Sequence, residues 1–224
     1  MLQSVLIHSG TGGVGLAAIQ IAQMVGAKVF ATVGTEEKRK FLHENYGLDH
    51  SQILNSRDTS FVEGVMKGTN GRGVDVSLNS LVREQLHATW SCIATQGRHI
   101  EIGLTDILDY GELDMNVFKR GASFSAFDFG VVADERPDIA IEVMKDVIRY
   151  FREGKIKPLA PSSVYPASEV KKAFLQFNNA KRIGKVVVKF EENDGTEVSR
   201  DAKIALTEYR VLTFISGLHG SSGT

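Results

Sequence analysis

The run Ile7-His8-Ser9-Gly10-Thr11-Gly12-Gly13-Val14-Gly15 sets three glycines at the spacing Gly-x-Gly-x-x-Gly. A loop of this kind binds a dinucleotide through its backbone. Gly10 permits a tight turn, Gly12 lets the chain approach a pyrophosphate, and Gly15 lets a helix pack closely on a strand. Thr11 lies inside the loop, and the N–H groups around Gly13 and Val14, at the helix start, face the phosphate charge. Glycine loops are common, so the spacing counts only with a strand before it and a helix after it. Both are legible here.

The next strand bears on which dinucleotide is bound. An NAD site places an Asp or Glu about 20 residues past the glycines to hold the ribose 2′-hydroxyl. The matching stretch, Ala31-Thr32-Val33-Gly34-Thr35, carries no acid. Thr35 can donate to a phosphate, and Lys38 and Arg39 follow one helical turn on, which suits a 2′-phosphate. The same two cations also fit a solvated helix face. The reading favours NADPH.

These residues need a scaffold, and hydrophobic spacing supplies one. Residues 4–8 form a short β-branched run that ends in the loop, and 14–25 carry apolar residues at helical spacing, with Gly26 as terminator. Residues 28–33 are a second strand; Thr35 caps the following helix, with Glu36 and Glu37 in its first turn. Residues 53–54 are a weak strand, and Ser60 with Glu63, in competition with Asp58, caps another helix. Strands follow at 73–78, 97–102 and 122–127, with a helix at 83–93. Residues 139–151 form an amphipathic helix whose stripe is Ala140, Val143, Met144, Val147, Ile148 and Phe151. This alternation implies a doubly wound parallel α/β sheet, a Rossmann fold, covered on both faces.

Past Gly154 the texture changes. Pro158, Pro161 and Pro166 mark a connector, followed by a short helix at 168–178 and a strand at 184–190. The polar stretch 191–200 reads as a linker, 204–215 is apolar without an evident partner, and 217–224 is a Gly/Ser-rich end. The division expected is therefore a dinucleotide-binding domain over 1–156, a C-terminal segment over 157–190 and a linker and tail over 191–224.

Bulk properties narrow the partners. A formal net charge of −1 over 224 residues gives no electrostatic reason to expect nucleic acid or an anionic membrane. No apolar run is long enough to span a bilayer, and the polar residues 9–13 interrupt any signal-peptide pattern. The single cysteine, Cys92, excludes an internal disulfide, suits a reducing compartment and reads as a small buried residue. Cytoplasm is the expected location. His8, His43, His50, His87, His99 and His219 are scattered without ligand spacing, so no metal site is expected, and all six read as ordinary strand or helix-surface residues. No nucleophile motif is present.

Several separated phrases, VLIHSGTGGVG, ATVGTEEKRKFL, NSRDTSF, GRGVDVSLNSL, GRHIEIG and IGKVVVKF, resemble in order the enoyl reductase domain of highly reducing polyketide synthases and animal fatty acid synthases. These belong to the medium-chain dehydrogenase/reductase superfamily, and the resemblance covers about residues 4–190. It implies NADPH-dependent reduction of an α,β-unsaturated thioester carried on an acyl carrier domain, with hydride to the β-carbon and a proton to the α-carbon. It places Asn79, Ser80 and Leu81, with Gly103, near the nicotinamide, and Ser56 near the adenosine. Read from the residues alone, Asn79 and Ser80 are a strand-ending polar turn. The resemblance also implies neighbouring synthase domains as partners and leaves a homodimer open.

Two departures from the family pattern follow. The family's lysine after the GRxxEIG strand is replaced by Leu104, which has neither proton nor charge. The family's second candidate acid corresponds to Asp128 in Ala126-Phe127-Asp128-Phe129, which also reads as a strand-end turn residue. The family further carries a GroES-like lobe before the first Rossmann strand, where this chain starts. The C-terminal strands would return to that absent lobe, so exposed edges are expected, or edges covered by 204–215. Two other readings stand beside the reductase: a free-standing quinone-oxidoreductase-like enzyme of the same superfamily, and a non-catalytic, cofactor-binding or structural remnant.

Overall fold

The computed structural model of the chain describes residues 3–190 and 211–213. Strands β1 (Ser4–Ile7), β2 (Lys28–Val33), β3 (Ile53–Asn55), β4 (Val74–Asn79), β5 (Ile93–Glu101) and β6 (Ser123–Ala126) form one sheet. Neighbours are parallel throughout, in the order β3-β2-β1-β4-β5-β6. This is the expected doubly wound Rossmann order. Its progression reverses between β1 and β4, where such sheets leave a crevice beyond the strand ends.

Successive strand residues point to opposite faces, and β1 shows it directly. Ile7 packs with Leu16 and Ile19 of α1 (Gly13–Met24) and Leu42 of α2 (Glu36–Tyr46). Leu6 packs on the other face with Phe61 and Val65 of α3 (Phe61–Gly68) and Trp90 of α4 (Glu84–Ser91). Burial of each such side chain stabilises by about 1.5–3 kcal/mol. Trp90 is also tethered, its indole N–H donating to the Asp114 carbonyl at 2.9 Å. Two helix ends follow the sequence cues: Thr35 caps α2, and Gly26, at φ +74°, lies just past α1. Ser60 stands before α3 but makes no side-chain cap bond, its hydroxyl donating to Asp58 instead.

Several elements differ from expectation. β5 begins at Ile93 rather than 97, because a bulge with Gln96 at φ +60° interrupts its register with β4 and hides the alternation. Two short helices, α5 (Thr105–Leu108) and α6 (Phe129–Glu135), have too few residues to show a period. The expected amphipathic helix is present as α7 (Pro137–Arg152), with Pro at its first turn. Its apolar stripe, however, covers nothing among the described residues: Val143 and Met144 are each 51% exposed and Phe151 53%.

The C-terminal part forms its own small sheet. β7 (Ser162–Pro166) lies in the stretch read as a connector, a correction explained by its position: it is an edge strand, where a proline is tolerated. It runs parallel to β8 (Lys185–Lys189), under α8 (Val170–Phe177), whose Ala173 packs with Val186 and Val188. β8 also pairs antiparallel with β9 (Val211–Thr213), so both its edges are occupied. The remainder of the expected linker and tail, and His219, lie outside the described residues.

Candidate functional site

The glycine loop leaves β1 at the switch point and closes on itself. The Gly10 N–H donates to the Thr32 carbonyl and the Gly12 N–H to the Ser9 carbonyl, each at 2.9 Å. A Cβ on Gly15 would be driven into the Ser9 carbonyl oxygen and would lie 2.8 Å from the Gly10 Cα. Only glycine lets α1 start this close to β1. Gly12 caps α1 without a side-chain acceptor, and no acid stands in the first turn, so no side chain competes with an anion at the start of α1. The chain returns to this loop at β8: the Gly184 N–H donates to the Thr11 carbonyl at 2.8 Å.

Beneath the loop, His8 is buried between two threonines. Thr89 donates its hydroxyl to the Gln85 carbonyl at 2.7 Å, so it accepts from His8 Nε2, 2.8 Å away. His8 Nδ1, 3.0 Å from the Thr32 hydroxyl, is then an acceptor. Burial, and secondarily His99, lower the His8 pKa from 6.5 to about 3, so the ring is held neutral. His99 is a strand residue of β5 as expected, and both it and His8, just past the end of β1, are buried in the core.

A cleft of about 300 Å³ runs from the loop past the end of β2 to Ser56 and to segment 177–182. Three cations line it, Lys38, Arg57 and Arg182, and no Asp or Glu does. Burial, and then Arg182 and Arg57, lower the Lys38 pKa, as crowding of like charge requires. Arg182 lies over the Phe177 ring at 4.3 Å, its own pKa lowered by burial. Three converging cations without a counter-charge are the makings of a phosphate site.

The structure sorts the residues singled out by sequence. Lys38 and Ser56 line this cleft. Thr35 is engaged by α2 itself: its hydroxyl accepts the Lys38 N–H at 3.3 Å. Arg39 is turned to the carbonyls of Ile53 and His50 and to Glu36. Arg57 and Arg182 take the place expected for Arg39. Arg57 directly follows Ser56 in the sequence, but nothing local announces Arg182.

The other half of the crevice is built from the ends of β4, β5 and β6. Ser80 is within 3.4 Å of Ser9, oxygen to oxygen, which ties this half to the glycine loop. Asn79 is fully buried and donates from Nδ2 to the Leu81 carbonyl at 2.8 Å and to Glu101 Oε2 at 2.6 Å. Glu101 Oε1 accepts the Gly103 N–H at 2.7 Å. Behind it, His99 Nε2 lies 3.2 Å from Glu101 Oε2, and His99 Nδ1 lies 2.8 Å from the Ser77 hydroxyl. Asn79 Oδ1 alone among buried side-chain polar atoms of the described residues has no partner, a cost of about 1–3 kcal/mol. Leu104 stands half-buried before α5. Asp128 caps α6, its Oδ1 accepting the Gly130 N–H at 2.8 Å.

Other chemistry has weaker footing. Cys92 is buried, and burial pushes its thiol up to about 11, far from a nucleophile's range. No helix of the described residues is long and apolar enough to cross a membrane.

Comparison with known proteins identifies the family and the fold. The profile of the family described as zinc-binding dehydrogenase matches residues 47–188. Among the described residues, no three His, Cys, Asp or Glu side chains are grouped to hold a metal ion, so these residues do not fit the zinc of that description. The chain is 54% identical over 219 residues to a reducing polyketide synthase, BOA9, of Botryotinia fuckeliana, covering 96% of this chain and 10% of that protein. It is similar to the CurK enoyl reductase structure at 37% identity and TM-score 0.73, covering 85% of this chain and 55% of that one. It is similar also to the nucleotide-binding subdomain of the enoyl reductase domain of PpsC from Mycobacterium tuberculosis, at 34% identity and TM-score 0.65, covering 70% of this chain and 86% of that one. The chain thus spans about a tenth of the BOA9 synthase and about half of the CurK enoyl reductase.

Proposed function

The chain belongs to the zinc-binding dehydrogenase family, among the enoyl reductases of reducing polyketide synthases, and from that membership we propose that it serves NADPH-dependent reduction of an α,β-unsaturated acyl thioester on an acyl carrier domain. The observation that carries the reading is the acid-free cleft beside the glycine loop, with Lys38, Arg57 and Arg182 converging on it. In this reading the α1 N-terminus receives the pyrophosphate, the three cations the 2′-phosphate, and Ser56 the adenosine side. Asn79, Ser80, Leu81 and Gly103 form the floor of the nicotinamide half.

The reduced nicotinamide, when bound, supplies a hydride for the β-carbon of the substrate. The chain's own task is to orient that ring and to hold a proton for the α-carbon. Leu104 carries no proton. Asp128 is the acid of this reading, held at the start of α6 by Oδ1, which accepts the Gly130 N–H. An upstream GroES-like lobe, to which the C-terminal strands return, and the neighbouring synthase domains are its partners. Cytoplasmic residence belongs to the same proposal.

The test is turnover of an enoyl thioester by the reductase joined to its upstream lobe. Asp128→Asn keeps the cap, since the amide oxygen still accepts from Gly130, and is expected to lower kcat about 10²–10⁴-fold. An unchanged kcat contradicts the role of Asp128. A second reading, cofactor binding without turnover, is favoured by Leu104. It predicts no NADPH oxidation until Leu104→Lys restores it.

A further inference from the structure

Resting on the cofactor reading above, we propose that Glu101 is a positioning residue for the nicotinamide end of the ligand, at the ends of β4 and β5. It is buried, and it stitches the end of β4 to the end of β5 just where their backbone ladder runs out. The last such bond is the Ile102 N–H to the Asn79 carbonyl at 3.0 Å. Beyond it β4 runs on into Ser80 and β5 into Gly103. Glu101 bridges the two with both carboxylate oxygens, one on Asn79 Nδ2 and one on the Gly103 N–H. Both are obligate donors, so the carboxylate serves here as an acceptor.

Two further observations show that the arrangement is built. A Cβ at Gly103 would lie 2.8 Å from Glu101 Oε1, so glycine at 103 makes room for this carboxylate. And once both Asn79 N–H bonds are used by Leu81 and Glu101, Asn79 Oδ1 is left as an acceptor without a donor among the described residues. A ligand bearing a primary carboxamide is a donor of the right kind. His99 and Ser77 back the carboxylate from the interior and fix its rotamer.

Glu101 therefore acts through Asn79 and Gly103 on the part of the ligand lying over β4 and β5, the second mononucleotide half of the sheet. The test compares two ligands by calorimetry: NADPH, and 2′-phospho-ADP-ribose, which has the same phosphates but no nicotinamide. Glu101→Gln is expected to weaken NADPH about tenfold, to leave 2′-phospho-ADP-ribose unchanged, and to reduce the fluorescence change of the bound dihydronicotinamide. Gly103→Ala, which displaces the carboxylate from outside, is expected to do the same.

Equal loss of both ligands, no loss of either, or failure of both variants to fold would make the cluster a structural element only and overturn the proposal. Binding of neither ligand by the wild-type chain overturns the cofactor reading itself, a distinct result.

Discussion

At the residue scale, charge and burial decide most of what the site can do. A charge-assisted hydrogen bond contributes about 1.5–3 kcal/mol, so Lys38→Ala, Arg57→Ala and Arg182→Ala are each expected to weaken NADPH tenfold or more. NADH, which lacks the 2′-phosphate, is expected to bind these variants as it binds the wild type. Arg39→Ala should leave both unchanged, and a loss of NADPH affinity there equal to that of Arg182→Ala would contradict the assignment. His8 gives a pH prediction. Its folded pKa, about 3, lies below the ordinary 6.5, so its neutral form favours folding above pH 6.5, and that contribution is lost as pH falls toward 3. Urea midpoints at pH 7 and pH 4.5 are expected to fall less in His8→Gln than in the wild type. Identical falls would remove His8 from the acid response. Lys38 was legible as a candidate because an acid was missing from the end of β2. Arg182 was not, because it reaches the cleft only through the return of the chain at Gly184.

At the scale of elements, what could be read from the sequence was whatever repeats. β1, α1 and β2 were legible because a β-branched run, a glycine loop and a helical period follow one another without interruption. β5 was legible only past its bulge, since Gln96 breaks the alternation on which the reading depends. β7 was hidden by Pro161 and Pro166, which are compatible with an edge strand but also with a connector. For α7 the periodicity gave the helix and its stripe, yet periodicity says nothing about what covers a stripe. Its exposure leads to a prediction. Val143→Glu and Val147→Glu lie on an uncovered face, so the thermal midpoint of this chain should shift little, about 0.5 kcal/mol or less. Binding of a hydrophobic dye should fall. Trp90→Ala, in the closed core, is expected to cost about 3–5 kcal/mol by the same melting measurement. A large loss from Val147→Glu would mean that the stripe is covered in solution.

On the scale of the whole molecule, the sheet divides the work. The half built from β1, β2 and β3 carries Lys38 and Arg57, the returning chain before β8 adds Arg182, and the half built from β4, β5 and β6 carries Asn79, Glu101, Gly103 and Asp128. The glycine loop sits where the two halves meet, and β8 returns to brace it. We propose 1–156 as the cofactor-binding unit and 157–190 as the C-terminal return segment. The central claim is that this crevice binds NADPH and selects it by its 2′-phosphate. Titration calorimetry of the chain with NADPH and with NADH tests it most directly. The account predicts that NADPH binds at least tenfold more tightly than NADH. Equal affinities, or a preference for NADH, would contradict it.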